Sequence, residues 1–237
     1  MTTAMILAAG RGERLRPLTD TCPKPLISLG YETLIERHIR RLHQVGIEYI
    51  VINTAWLGYK IEQHLGDGAK YGVQIQYSHE MQGCLETAGG IATALPLLGD
   101  APFIVINGDI FSDIDFNAVK NQADALSHNR KIAAHLWLVE NPSHHPNGDF
   151  AIDDGLLLKD GMPKYTFSGV AVYRPEFFDG VDAHIKRPLA PLLFTAATQR
   201  RISATVMTEY WLDVGTIERL ETARQKSAQE WAAIKSN

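Results

Sequence analysis

Cysteine is scarce in this 237-residue sequence: there are two, Cys22 and Cys84. Two cysteines make no disulfide framework, so a reducing compartment, the cytoplasm, is expected. Long apolar runs are missing too. No stretch reaches the roughly 18 consecutive apolar residues of a membrane span, so no membrane partner is expected. The opening MTTAMILAAGRG has an apolar run with no basic segment ahead of it, which suits a strand better than a secretory signal. Positive charge is also short. Lys and Arg number 23 against 27 Asp and Glu, a net charge of −4. That excludes the broad basic surface a nucleic-acid duplex needs, and leaves room for a local basic pocket around one small anion. Internal repeats and low-complexity tracts are absent, and too little chain follows Trp211 for a C-terminal β-helix.

What is present is an ordinary globular balance, 45% hydrophobic and 21% charged, long enough for a full core. One domain over residues 1–237 is expected. Apolar runs bounded by turn residues recur as AMILAA, YIVINT, VQIQYS, FIVINGD, IAAHLWLV, SGVAVY and ISATVM, with helical patterns between several of them. Over Thr33–Val45 the residues Leu34, Ile35, Ile39, Leu42 and Val45 share one helix face, with Arg37, Arg40 and Arg41 largely on the others and Gly46 as a stop. The fold class is α/β, doubly wound, with a mostly parallel mixed sheet and helices on both faces. Between Asn141 and Lys164 the chain turns rich in Pro, Gly and Asp. Hairpins inserted over the sheet's ligand edge are expected there.

The first strand runs into Gly10-Arg11-Gly12-Glu13-Arg14-Leu15-Arg16. Glycines there let a backbone approach a phosphate, although a plain strand–helix turn would use them equally. The dinucleotide pattern fails because Leu15 stands where its third glycine belongs, which disfavours a nicotinamide-dependent dehydrogenase. A P-loop fails because no G-K-S or G-K-T follows. Arg16 and Lys24 lie around Pro17, Pro23 and Pro25, a stiffened frame that can hold a guanidinium and an ammonium about a polyphosphate. Asp109 stands just beyond FIVIN, where ligands of α/β sheets bind, though a turn aspartate would also fit. Asp213 emerges from the apolar YWL, where an unpaired carboxylate is costly. If the two converge they suit Mg²⁺, a hard cation that takes oxygen ligands. Asp113 and Asp115 are read as caps of the helix over Phe116–Leu126. His144 and His145, being adjacent, lack helical ligand spacing and are read as loop rather than a zinc site.

G-x-G-x-R-L-x-P-L-T followed by P-K-P resembles the signature of the nucleoside-diphosphate-sugar pyrophosphorylases, a nucleotidyltransferase family. The resemblance implies a Rossmann-like fold and a nucleotide gripped by Leu7, Ala8, Ala9, Gly10, Arg11 and Gly12. It implies Arg16 on the β- and γ-phosphates, Lys24 at the reacting phosphates, and Asp109 and Asp213 on Mg²⁺. Arg14 is read as solvated charge. SHEMQGCLETAGGI resembles the family's second nucleotide segment, L-G-T-A-G, with Glu86 in place of its first glycine. Glu80, Thr87 and Gly89 are implied there. Glu80 falls at the base-reading position, and a carboxylate accepts from uracil N3–H or from guanine N1–H and N2–H₂; a surface glutamate is the alternative.

Family position implies a sugar pocket of Asn107, Gly148, Asp149, Ser168, Gly169 and Lys164 within or near an insertion over residues 141–185. The family's E-K-P is missing, so either Lys159 or Lys164 could hold the sugar phosphate. Strongest over residues 4–30, 77–91, 103–111 and 166–174, the resemblance is greatest to the short bacterial uridylyltransferases of peptidoglycan recycling. Those transfer UMP from UTP to N-acetylmuramic acid α-1-phosphate. A guanylyltransferase making GDP-heptose or GDP-mannose is the alternative. A catalytically silent nucleotide-sugar sensor is disfavoured by the intact Arg16, Lys24, Asp109 and Asp213. A monomer or small homo-oligomer is expected.

Overall fold

The computed structural model describes residues 2–81 and 83–235, and of residues 234 and 235 the backbone alone. The chain runs through β1 (Thr3–Leu7), α1 (Leu18–Thr21), α2 (Leu34–Gln44), β2 (Tyr49–Thr54), α3 (Gly58–Leu65), β3 (Gln74–His79) and α4 (Glu86–Leu98). It continues through β4 (Phe103–Asn107), β5 (Ile110–Ser112), α5 (Phe116–His128), β6 (Ala134–Val139), β7 (Phe150–Asp153), β8 (Leu156–Leu158) and β9 (Lys164–Tyr173). It closes with α6 (Ala190–Thr198), β10 (Ile202–Val206), β11 (Trp211–Asp213) and α7 (Ile217–Lys235).

Nine strands form one mixed sheet in the order β3-β2-β1-β4-β9-β6-β10-β8-β7. From the β3 edge through β10, strands β3, β2, β1, β4, β6 and β10 run one way, and among these only β9 runs against them. Strands of this kind are covered on both faces, so they read as unbroken apolar runs; Ala4, Met5 and Ile6 of β1 are all buried. One face packs against Ile35, Ile39 and Leu42 of α2, Ile61 of α3 and Val119 of α5. The other packs against Ile91 and Leu98 of α4 and Leu193 of α6. The expected hairpin is β7–β8. Asp153 pairs with Leu156 across Asp154-Gly155, both at positive φ, the conformation a two-residue D-G turn favours.

The helix expected over Thr33–Val45 is α2, and Thr33 caps it. Its hydroxyl accepts from Glu36 N, while the Glu36 carboxylate accepts from Thr33 N at 2.8 Å. Arg37, on another face of α2 than its apolar residues, is nonetheless buried: its side chain is 3% exposed, donates to Glu230 and Asp113, and lies over the Phe111 ring. The physical reason is α7, which brings Glu230 onto that side of α2 from the far end of the chain.

His135 of β6 is buried edge-on to Trp137, its Nδ1 2.8 Å from Ser203 Oγ, and burial pushes its pKa down to about 4. The folded pKa lies below the ordinary histidine value of 6.5, so the group's contribution is complete above pH 6.5 and is lost as pH falls toward 4. Between pH 7 and 4.5, thermal unfolding should register a loss of roughly 2 kcal/mol from this residue. His135→Asn should flatten that slope; an unchanged slope would contradict the assignment.

Candidate active site

The chain passes from β1 outward to β2 and β3, then returns to place β4 on the other side of β1. Such a switch point opens a crevice beyond the strands' carboxyl ends. There Leu7 is flanked in register by Asn53 of β2 and Asn107 of β4. A cavity of about 430 Å³ opens above them, bounded by the loop after β1, Lys24, the start of α4 and Asp109. A second, of about 620 Å³, is bounded by β7, β9 and α6. Glu86, Thr87 and Asn107 line both, so they form the seam between the two.

Lys24 comes from the proline-bracketed turn and is buried along its stem. Its Nζ donates to Asp109 Oδ2 at 2.6 Å, with the carboxylate 37% exposed. β11 pairs with β5 so that Asp213 stands opposite Ile110, and Val214 N donates to Asp109 O at 2.8 Å. Thus Asp213, from a distant part of the chain, stands opposite the residue next to Asp109. Asp213 Oδ2 lies 3.1 Å from Arg219 and Oδ1 lies 3.0 Å from His144 Nε2, yet buried Oδ1 accepts no hydrogen bond. A buried Asp213 oxygen that accepts no hydrogen bond, on the residue paired with Ile110 next to Asp109, gives a carboxylate donor set that suits a hard divalent cation.

Leu7, Ala8, Ala9, Gly10 and Gly12 line the smaller cavity together with Thr87 and Asn107. The loop's arginines divide differently from expectation. Arg14 is exposed, as expected, and also lines this cavity, its guanidinium close to Gly215. Arg11 is turned away: it donates to Thr19 O at 2.7 Å and lies 3.9 Å over Trp56. Arg16, 61% exposed, pairs with Asp20 at 2.9 Å. Arg11 also donates to Asp20 and holds its carboxyl below the usual carboxylate range.

Two further expectations are corrected. Glu80 is buried under the cavity rather than facing it, its oxygens accepting from Asn53 Nδ2 at 2.7 Å and Leu85 N at 2.6 Å. Burial pushes its pKa up, against those two donors. Each Glu80 oxygen thus accepts one hydrogen bond from the protein, and the side chain braces the floor beneath the cavity. Asn53, which the sequence reading passed over, completes the brace by accepting from Ala8 N at 2.8 Å. Its signal was an amide ending the apolar strand YIVIN, as Asn107 ends FIVIN. Gly89 also lines neither cavity. A Cβ there would lie 2.2 Å from Ile185 O, because residues 185–187 dock on α4. Gly89 N donates to Arg187 O at 3.2 Å.

Around the larger cavity stand Asn107, Gly148, Asp149 and Lys164. Asp149 is fixed by His145 Nε2 at 3.0 Å and by Phe167 N at 2.8 Å. Ser168 and Gly169 do not line it. Ser168 is fully buried, its carbonyl accepting from Trp211 Nε1 at 2.8 Å, and Gly169 leaves space filled by the Asn107 amide. Gly169 backs Asn107. Of the two lysines left open, Lys159 lies 5.3 Å over the Phe194 ring, while Lys164 lines the cavity.

The nucleotidyl transferase family model matches residues 3–230. The N-acetylmuramate alpha-1-phosphate uridylyltransferase of Neisseria meningitidis serogroup B is 54% identical, over 96% of this chain and 99% of that one. The enzyme of the same name from Caulobacter vibrioides is 32% identical, over 95% and 97%. The solved structure of HddC from Yersinia pseudotuberculosis superposes with a TM-score of 0.76 at 21% identity, covering 95% of this chain and 99% of that one, and shares the fold.

Proposed function

This chain belongs to the nucleotidyl transferase family, and we propose that it transfers UMP from UTP to N-acetylmuramate α-1-phosphate, releasing pyrophosphate. The observation that carries the reaction class is the Lys24–Asp109 pair in the smaller cavity, which joins the larger one along the seam of Glu86, Thr87 and Asn107. The smaller has the loop, the strand ends and Arg14 that a nucleoside triphosphate needs. The larger offers Lys164, Asn107 and an apolar wall to a sugar phosphate. The choice of uracil and of this sugar rests on the relatives 54% and 32% identical over nearly the whole chain.

In this mechanism an oxygen of the sugar phosphate attacks the α-phosphorus in line. The new P–O bond forms as the bond from the α-phosphorus to the bridging oxygen of pyrophosphate breaks. A phosphate monoester is already ionised at neutral pH, so no general base is required. Lys24 steadies the α-phosphate and Asn107 orients the group entering from the second cavity. Lys164 holds the sugar phosphate. Arg14, with Arg16 once a triphosphate draws it from Asp20, meets charge growing on the leaving pyrophosphate. Mg²⁺ held by Asp109 and Asp213 would neutralise phosphate charge. We assign the reaction to the cytoplasm and to peptidoglycan recycling. No helix among the described residues is long and apolar enough to cross a membrane.

Mass spectrometry of the product tests this. UTP and N-acetylmuramate α-1-phosphate with Mg²⁺ should give one UDP-sugar per pyrophosphate; recovery of both substrates unchanged would refute the reading.

A further inference from the structure

Five non-glycine residues have positive φ among the described residues, and of these Glu86 alone lines a cavity. At φ 59 it holds a conformation that glycine takes without strain, so its side chain is retained at a cost. That side chain stands on the seam and reaches Lys186, whose Nζ lies 3.4 Å from Glu86 Oε1. Lys186 is 67% exposed, yet its backbone is anchored on both sides. Arg187 N donates to Leu85 O at 2.9 Å, and Ala88 N donates to Arg187 O at 3.1 Å. On the other side His184, itself at φ 63, donates from its N to Thr93 Oγ1 at 2.8 Å. The absence of a Cβ at Gly89 is what lets Ile185 pack so closely. The segment is therefore built to hold Lys186 beside the seam.

We propose that Lys186 is a specificity-determining residue that pairs with a carboxylate carried by the sugar, and that Glu86 is the positioning residue that aims it. Lys164 on β9 lines the larger cavity, and Lys186 on the docked segment, held by Glu86 of the seam, adds a second cation at its rim. A sugar 1-phosphate bearing a second anionic group matches both. The apolar wall of Phe150, Phe167, Leu193 and Phe194 accommodates the methyl groups of its substituents. A sugar phosphate without a carboxylate leaves Lys186 on Glu86 and gains nothing from it. The inference rests on reading the larger cavity as the sugar site.

The test compares N-acetylmuramate α-1-phosphate with N-acetylglucosamine α-1-phosphate, the same acetamido sugar without the lactyl carboxylate, using UTP and Mg²⁺. Lys186→Ala should raise KM for the acidic sugar about ten- to a hundredfold, the range of one charged hydrogen bond. It should leave kcat, the KM for UTP and the neutral sugar within about twofold, with Lys186→Arg restoring most of the loss. Glu86→Gly should keep or raise Tm while narrowing the preference between the two sugars. A wild-type preference that survives Lys186→Ala, or an equal loss on both sugars, would overturn the proposal while leaving the proposed function standing. An undiminished preference in Glu86→Gly would overturn the role of Glu86. Failure of the wild type to use either sugar would overturn the proposed function, and this inference with it.

Discussion

Lys24→Met is expected to lower kcat about 10²–10³-fold with KM for UTP changed far less, because one preorganised donor at the reacting phosphates is lost. Methionine keeps the buried stem that packs between the loop and Asp109, so the fold should survive. Asp109 is 37% exposed and regains water when Nζ goes, which limits the stability loss to about 1 kcal/mol. Circular dichroism and Tm should therefore stay near wild type while single-turnover rates collapse. A variant retaining near wild-type kcat would remove Lys24 from the chemistry.

Asp109→Asn should have the larger effect. It removes one of two carboxylates at the proposed cation site and leaves the buried Lys24 ammonium without its counter-ion. Turnover should fall by about 10³-fold or more, and the Mg²⁺ concentration for half-maximal rate should rise at least about tenfold. Titration of Mn²⁺ followed by its paramagnetic effect on water relaxation reads the same loss without any turnover. Unchanged Mn²⁺ affinity would place the cation elsewhere. Asp213→Asn should weaken Mn²⁺ in parallel, since Asp213 of β11 stands opposite Ile110, the residue next to Asp109.

The parts of this site written in local chemistry were readable from the sequence. Apolar runs gave the strands, and the Pro-, Gly- and Asp-rich stretch over 141–164 gave the hairpin. The proline-bracketed turn brings Lys24 to Asp109 as its residue types suggest. Side-chain destinations set by distant elements were not readable. Arg37 is an amphipathic helix's outer residue until α7 covers it. Gly89 looks like an opening for a ligand until residues 185–187 fill it. Glu80 and Asn53 both end apolar strands or follow them, and nothing local tells which carboxylate or amide faces a ligand and which braces the backbone beneath it. Arg14 and Arg16 show the same limit: two positions apart on one turn, one lines the cavity and the other is held by Asp20.

The central claim is most directly tested by kcat/KM for pyrophosphate release across UTP, GTP, CTP, ATP and dTTP. Each would be paired with N-acetylmuramate, N-acetylglucosamine, glucose, mannose and heptose 1-phosphates in Mg²⁺. UTP with N-acetylmuramate α-1-phosphate should exceed every other pair by at least about tenfold. A higher value for GTP with mannose or heptose phosphate, or no pyrophosphate from any pair, would contradict it.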